Sequence, residues 1–308
     1  MRIPSFSKTR MLTPTAGERL TGHPAVVILC FTLVMLLAEL GQTLFVRGGK
    51  ALLSPLLTTR SSLLLLSLFA TIVTVGLVLF FCLVPEKRNL LSLGFSRRGA
   101  AYEYAAGLLF GLVLFSIPVL LCLATGAMTL SAAEASPSWG LILLFFVAFL
   151  IQGLSEELLC RSYLMVSLSR GLPAWLSVIL NALLFSLLHL GNPGISLLPL
   201  INIFLFGVFA SLLTLRRGSI WMVAGLHSLW NFSQGNLFGI PVSGMGEIAS
   251  PLHAHMAEGG WQTLINGGVF GLEGGLAVTV VLAIACGGIA LMPTKKSETG
   301  NKCKEQIT

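Results

Sequence analysis

Charged side chains are scarce in this sequence of 308 residues: Asp, Glu, Lys and Arg together make up only 10% of it. A soluble globular domain carries about 25% charged residues. Hydrophobic residues make up 55% of the chain, and its mean hydropathy is +0.89. This composition excludes an ordinary soluble domain and indicates a protein that crosses a lipid bilayer several times.

A concentrated basic stripe is also absent. The net charge is +7, but the Lys and Arg residues lie between hydrophobic runs instead of clustering as they do in nucleic-acid-binding domains. We therefore predict no nucleic-acid partner. The lipid bilayer is the expected surrounding, and membrane topology is the expected cause of the charge.

Paired cysteines are missing as well. The six cysteines include no CxxC spacing, so we predict neither disulfide bonds nor a zinc knuckle. Residues 1–22 are basic and polar, as in a signal peptide, but the apolar run that follows is too long for the core of one. We predict that this run is a retained transmembrane helix.

Eight apolar segments approach the roughly 20 residues that a transmembrane helix needs. We predict an all-α bundle of about eight transmembrane helices with the spans 24–45, 62–84, 104–124, 140–166, 173–190, 195–215, 220–239 and 275–292. The predicted domains are an N-terminal tail (1–23), helices one to three (24–139), a catalytic core of helices four to eight (140–292) and a polar C-terminal tail (293–308).

The basic residues divide unequally between the two sides of this bundle. If both termini are cytoplasmic, only Arg47, Lys50 and Arg60 of the 19 Lys and Arg residues fall on the opposite side. Cytoplasmic loops are the ones enriched in Lys and Arg. We therefore predict that both termini face the cytoplasm.

Two adjacent glutamates interrupt the apolar surroundings in GLSEELLCRSYL (153–164). An ionised carboxylate in hydrocarbon costs roughly 3 kcal/mol on insertion scales, so such a group is a functional candidate. Consecutive helical residues point about 100° apart, so Glu156 and Glu157 do not face one pocket together. Glu157 is spaced i,i+4 from Arg161, which favours a supporting ion pair. Glu156 has no local partner and is expected to find one on another helix.

Histidine and amide side chains recur in the same half of the chain. His227 and Asn231, in HSLWN, share one face of the seventh span, and His189 ends FSLLH. Single polar residues in a span usually form hydrogen bonds between helices, and we interpret Glu39 and Asn202 in that way. Three spans that each offer a group of catalytic type favour a shared site near the glutamate pair.

The depth of these residues predicts the shape of the site. At 1.5 Å per residue, His227 lies about 10 Å below the cytoplasmic face. His189 lies at the same depth as His227 only if the hairpin between spans four and five projects past the membrane. The irregular turn GNPG (191–194) then lies at membrane depth, which is tolerated where chain lines a cavity. We therefore predict a water-accessible cavity open to the cytoplasm. His253 and His255 are interpreted as an ordinary feature of the 240–274 loop.

Three motifs occur in a fixed order. GLSEELLCRSYL fits EExxxR, FSLLH (185–189) fits FxxxH, and HSLWN (227–231) fits HxxxN. With these motifs, residues 140–235 resemble the CPBP family of intramembrane peptidases, also called Abi, which includes the CAAX prenyl proteases of type 2 and bacteriocin-processing enzymes. The Gly-rich NGGVFGLEGG before the last span is also similar to the C-terminal region of that family.

The resemblance implies an endopeptidase that hydrolyses a peptide bond of a membrane-associated peptide, whether lipidated or C-terminal. The implied site residues are Glu156 and His189, which activate water, His227 and Asn231, which form an oxyanion site, and Glu157 and Arg161, which support the helix. No cofactor is required in this mechanism.

An alternative mechanism uses a divalent metal such as zinc, bound by Glu156, His189, His227 and Asn231. Zinc sites with two histidines and a carboxylate leave a position open for water. We prefer the metal-free mechanism because the spacing is not HExxH and the ligands would come from three separate helices.

Two other classes of function use the same residues. Buried carboxylates and histidines also form relays in ion- or proton-coupled transporters, and a non-catalytic immunity or scaffold relative would keep the fold alone. The sequence shows neither the inverted repeat nor the paired broken helices common in transporters, and all four implied catalytic residues are intact. We therefore favour a peptidase acting on a peptide or protein substrate at the membrane, and we predict a bacterial inner membrane as its location.

Overall fold

The computed structural model describes residues 11–14, 17–19, 22–54, 57, 59–133, 138–246 and 248–292. The predicted C-terminal tail (293–308) and most of the predicted N-terminal tail (1–23) lie outside these residues. Within the described parts the chain is mostly helical, as the hydropathy pattern predicts.

The helices follow the apolar runs of the sequence, because chain inside a bilayer has to satisfy its backbone hydrogen bonds within itself. In chain order they are α1 (Pro24–Leu53), α2 (Arg60–Ala70), α3 (Ile72–Leu83), α4 (Ala100–Ala124), α5 (Trp139–Glu157), α6 (Val166–Leu168), α7 (Ala174–Leu187), α8 (Leu197–Arg217), α9 (Trp221–Phe232), α10 (Gly260–Asn266) and α11 (Leu276–Leu291). The π-helical segments Leu158–Met165 and Ser233–Leu237 extend α5 and α9.

Several of these helices have the length and composition of membrane spans. Within the described residues, five stretches qualify: Pro24–Leu53, Arg60–Leu83, Ala100–Ala124, Trp139–Leu168 and Leu197–Arg217. The apolar helices α7 and α11 are shorter. A multi-pass helical membrane protein is therefore supported, whereas the count of eight spans stays a prediction.

The expected all-α fold is wrong in one detail, because the chain also forms a two-stranded antiparallel sheet. β1 (Met128–Ala132) pairs with β2 (Leu252–Met256). His253 and His255 therefore lie on a strand and not in a loop, and His255 Nε2 lies 2.9 Å from the Ser131 hydroxyl. The strands are far apart in the chain, so no hairpin pattern marks them in the sequence.

Glycines allow α4 to lie directly against α9. A Cβ atom at Gly107 would be 2.1 Å from the Met222 carbonyl oxygen, and one at Gly111 would be 2.2 Å from that of Leu226. Such distances exclude any side chain, and small residues four apart are typical of close helix pairs in membranes. This contact fixes the position of α9, which carries the HSLWN motif.

α5 approaches α9 just as closely from another side. A Cβ atom at Gly153 would lie 2.5 Å from the Ser228 hydroxyl and 2.8 Å from its amide nitrogen. Gly153 comes one turn before the glutamate pair, and Ser228 directly follows His227. The glycine contact therefore brings the first and third motifs side by side.

One end of the bundle collects the loops that follow α3, α6 and α8, and we call it the basic end. The Ile220 amide donates a hydrogen bond of 3.1 Å to the Gly94 carbonyl, and Arg170 forms an ion pair with Glu18 over 3.1 Å. This grouping agrees with the predicted division of the basic loops. The side of the membrane that the basic end faces stays a prediction.

Glu86 lies at the basic end, in the loop between α3 and α4 and outside the membrane-spanning helices. Its side chain is 12% exposed and lies 3.7 Å from the Arg88 guanidinium. Burial raises the pKa of the Glu86 carboxyl from 4.5 to about 7, although Arg88 lowers it. Because this pKa is higher in the folded than in the unfolded protein, stability is lost as the pH rises from 4.5 through 7.

We predict that Glu86 alone lowers the free energy of unfolding by about 1.4 kcal/mol between pH 6 and pH 8. Glu86→Gln removes this part of the pH dependence because an amide does not titrate. Denaturant unfolding of the detergent-solubilised protein at both pH values measures the difference. Glu258→Gln, at an exposed carboxyl, is the control and keeps the wild-type dependence. A Glu86→Gln variant with the wild-type pH dependence contradicts the assignment.

Candidate active site

The first motif lies where α5 changes into a π-helix. α5 ends at Glu157, and the π-helix Leu158–Met165 contains Arg161. π-helical segments are rare and are found frequently at functional sites. Here the Ser162 carbonyl accepts a hydrogen bond of 2.8 Å from Nη2 of the buried Arg88. The basic end therefore supports the irregular segment directly, through a residue that no motif marks in the sequence.

Glu157 and Arg161 form a buried ion pair. Glu157 Oε1 lies 3.2 Å from Arg161 Nη1, and both side chains are 0% exposed. The guanidinium also lies over the Phe185 ring, 4.3 Å from its centroid, which is a cation–π contact. The same Glu157 Oε1 lies 2.7 Å from Nδ1 of His227. The i,i+4 spacing indicates the contact with Arg161 but not the contact with His227, so Glu157 does more than support its own helix.

His227 lies between the two glutamates. Because a carboxylate only accepts hydrogen bonds, His227 Nδ1 donates to Glu157, and this bond orients the imidazole ring. Nε2 then faces Glu156, whose Oε2 is 3.7 Å away. A polar contact of that length is longer than a hydrogen bond.

Glu156 differs from Glu157 in its access to solvent, since its side chain is 31% exposed. Gln152 Nε2 donates a hydrogen bond of 2.6 Å to Glu156 Oε1. Asn231 Nδ2 in turn donates to Gln152 Oε1 over 3.0 Å. The contacts therefore form one continuous series: Arg161, Glu157, His227, Glu156, Gln152 and Asn231.

Gln152 is a site residue that the three motifs do not contain. It is buried and bridges α5 to α9. The signal for it in the sequence is its i,i+4 spacing from Glu156, since residues at that spacing share a helix face. An amide one turn before an unpaired carboxylate in an apolar run is a recognisable partner.

His189 stands apart from this series. Its Nδ1 lies 2.8 Å from the Phe185 carbonyl oxygen. A carbonyl only accepts, so Nδ1 carries a hydrogen, and Nε2 forms no hydrogen bond with a described residue. The His189 ring packs edge-on against the Phe185 ring, with centroids 4.9 Å apart. Among the described residues, His189 forms no ion pair with a carboxylate.

A cavity of about 560 Å³ brings the candidate catalytic residues together. Glu156, His189, His227 and Asn231 all line it, whereas the buried ion pair lies behind its wall. Residues of α1, α2 and α3 form part of the opposite wall. The four residues named from the motifs therefore share one cavity, although only three of them belong to the series of contacts that begins at Arg161.

A further carboxylate, Glu273, lines the cavity from the loop before α11. Its Oε2 accepts hydrogen bonds from the amide and the hydroxyl of Ser243, over 2.8 and 2.7 Å. Its Oε1 accepts a longer bond of 3.3 Å from Trp230 Nε1. These bonds hold the 241–245 loop against α9, with Ser243 at a φ of 47°, which is uncommon for a residue other than glycine. Nothing in the sequence pattern assigns this role to Glu273.

The loops that line the cavity lie at the end of the bundle away from the basic end. They contribute Asn192, after α7, the segment 242–245, after α9, and Glu273. No described residue of the loops at the basic end lines the cavity. If the basic end is cytoplasmic, as the sequence predicts, this lining does not match the predicted opening toward the cytoplasm. The prediction used depth along single helices, which carries no information on how the 241–245 loop folds back onto the site.

The metal-binding alternative stays a hypothesis beside the metal-free mechanism. Among the described residues, no group of three His, Cys, Asp or Glu side chains is arranged to hold a metal ion. The Nδ1 atoms of His227 and His189 are bonded to Glu157 and to a backbone carbonyl. Such bonds leave Nε2 as the possible ligand atom, as in metal-binding histidines, so they do not exclude a metal.

Comparison with known families finds a match over the segment that contains this site. Residues 138–233 match the model of the family described as Type II CAAX prenyl endopeptidase Rce1-like. The predicted family resemblance is confirmed. The match covers about a third of the chain and includes all six residues named from the motifs. No curated protein matches the chain. The Rce1-like match and the long apolar helices together support an integral membrane protease of the CAAX type.

We predict that the two adjacent glutamates differ in their effect on stability. Glu157→Ala leaves the buried Arg161 without its ion-pair partner and lowers the free energy of unfolding by about 3–5 kcal/mol. Glu156→Ala truncates a partly exposed side chain outside that pair and lowers it by less than about 1 kcal/mol. Unfolding of both variants in the same detergent measures the difference, and equal losses contradict the division between a buried and a cavity-facing glutamate.

Proposed function

We propose that the protein is an intramembrane endopeptidase that hydrolyses a peptide bond of a membrane-associated peptide, with water activated by Glu156. The observation that carries the proposal is the common cavity. Within the Rce1-like segment, Glu156, His189, His227 and Asn231 line one space, and Glu156 is the exposed member of the glutamate pair. This arrangement supports chemistry at Glu156 and a positioning role for Glu157.

Glu156 is the general base of the proposed reaction. Its carboxylate takes a proton from a water molecule as the oxygen of that water attacks the carbonyl carbon of the scissile bond. Gln152 donates to Oε1, whereas Oε2 is buried, accepts no hydrogen bond from a described residue and lies 3.7 Å from His227 Nε2. His189 assists in orienting the same water through a hydrogen bond at Nε2. The proton then passes to the departing amine, and the products are a carboxylate and an amine.

His227 and Asn231 stabilise the tetrahedral intermediate. In its protonated form His227 donates from Nε2 toward the cavity while Glu157 holds Nδ1. Asn231 uses one amide hydrogen for Gln152 and has a second for the substrate oxygen. Donors that are already oriented before the reaction stabilise developing charge without reorganisation. The Glu157–Arg161 pair contributes by keeping the His227 ring in this orientation.

We also infer a bundle of eight spans with both termini in the cytoplasm, as the distribution of basic residues indicates. The inferred location is a bacterial inner membrane. The substrate is a peptide or protein at the membrane, lipidated or cleaved near its C-terminus, and no cofactor is required.

We predict that Glu156→Ala abolishes peptide cleavage. The purified wild type and variant, in lipid nanodiscs, are incubated with a peptide library that includes lipidated C-terminal peptides, and the products are sequenced by mass spectrometry. Loss of a general base lowers the rate at least about a hundredfold. Identical product sets from both proteins would contradict the peptidase proposal.

Two controls separate the alternatives. Glu103→Ala removes a carboxylate that pairs with Arg217 over 2.8 Å, away from the cavity, and this variant keeps wild-type cleavage. A chelator, with the metal content of the protein measured alongside, leaves cleavage unchanged in the glutamate mechanism. If the chelator abolishes cleavage and added zinc restores it, the mechanism is metal-dependent.

A further inference from the structure

We propose that Glu39 of α1 determines substrate specificity by binding a basic side chain of the peptide that enters the cavity. The inference rests on the proposed peptidase function and adds a substrate class to it: peptides with Lys or Arg near the scissile bond. Glu39 lies outside the segment that matches the Rce1-like family, yet it lines the same cavity as Glu156.

An ionisable side chain at the position of Glu39 costs free energy unless it has a partner or contacts water. Glu39 lies near the middle of α1, which is long and apolar enough to cross a membrane. Ionisable groups inside a membrane almost always face a partner or a water-filled space. The basic residues of the same helix, Arg47 and Lys50, lie about 12 and 16 Å further along it, too far to pair with Glu39.

Glu39 has no partner among the residues that the structure describes. Its side chain is exposed and forms neither a hydrogen bond nor an ion pair with any of them. The expectation that Glu39 forms a hydrogen bond between helices is therefore wrong within the described chain. Its oxygens are free on the wall of the cavity.

The polar neighbours of Glu39 on this wall are, in contrast, bonded within the protein. Gln42 Nε2 donates to the Thr74 hydroxyl over 3.1 Å. The hydroxyls of Ser67 and Thr71 donate to carbonyl oxygens of the preceding turn. These residues are explained by their own contacts, whereas the carboxylate of Glu39 is not.

The charges around the cavity point to a cation as the partner. Its carboxylate and histidine lining comprises Glu39, Glu156, Glu273, His189 and His227, and no described Lys or Arg lines it. Two of the carboxylates already accept hydrogen bonds from protein groups, and Glu39 does not. A cleft lined by carboxylates concentrates cations, and an ammonium or guanidinium forms strong charge-assisted hydrogen bonds with a free carboxylate.

Binding measured in the absence of cleavage tests the proposal. The protein carries Glu156→Gln in phosphatidylcholine nanodiscs, so that neither turnover nor lipid charge contributes. The probes are three pools of fluorescent twelve-residue peptides, random in Ala, Gly, Leu, Ser and Thr except for one central Lys, Gln or Glu. We expect the Lys pool to bind about tenfold more tightly than the Gln pool. Adding Glu39→Gln abolishes this preference, and adding Glu39→Lys transfers it to the Glu pool.

Glu103→Gln is the matched control, because it also removes a carboxylate but outside the cavity, and it keeps the preference for Lys. Equal binding of the Lys and Gln pools, or a preference that survives Glu39→Gln, overturns the proposal. The same pools incubated with protein that retains Glu156 report cleavage separately. A preference that depends on Glu39 without any cleavage counts against the peptidase function and not against the role of Glu39.

Discussion

The site depends on one electrostatic constraint: a guanidinium with no access to solvent has to be neutralised by a carboxylate inside the protein. Arg161 is fully buried, and none of its nitrogens forms a hydrogen bond with a described residue. Glu157 and the face of the Phe185 ring are its contacts. Glu157 is therefore held in place by Arg161, and it holds His227 through the same oxygen. Arg161, which does not line the cavity, therefore orients His227 through Glu157.

This constraint separates the two adjacent glutamates. Because Glu157 is occupied by Arg161 and His227, Glu156 is the member of the pair that reaches the cavity, supported by Gln152. The arrangement requires α5 and α9 to lie in direct contact, which Gly153 allows. Arg88 holds the carbonyl of Ser162 in the π-helix that carries Arg161, so the basic end of the bundle takes part in positioning the site.

Much of this site can be predicted from spacing, because residues at i,i+4 share a helix face. The approach of Glu157 to Arg161 and the common face of the HSLWN motif follow from that rule. The contact of Glu157 with His227, the bridge by Gln152 and the role of Glu273 do not, because they depend on how separate helices and loops meet. The sequence does not predict the sheet for the same reason, since β1 and β2 (128–132 and 252–256) become partners only in the folded chain.

A double-mutant cycle on the free energy of unfolding tests the central constraint most directly. The cycle compares Glu157→Gln, Arg161→Met and the double variant in one detergent. Glu157→Gln leaves the buried Arg161 charge without a carboxylate, and Arg161→Met leaves the buried Glu157 with His227 alone. The double change removes both charges. We expect the double variant to lose at least about 2 kcal/mol less than the sum of the single losses. Additive losses, within about 0.5 kcal/mol, would contradict this expectation, because they would show that the two residues do not stabilise each other.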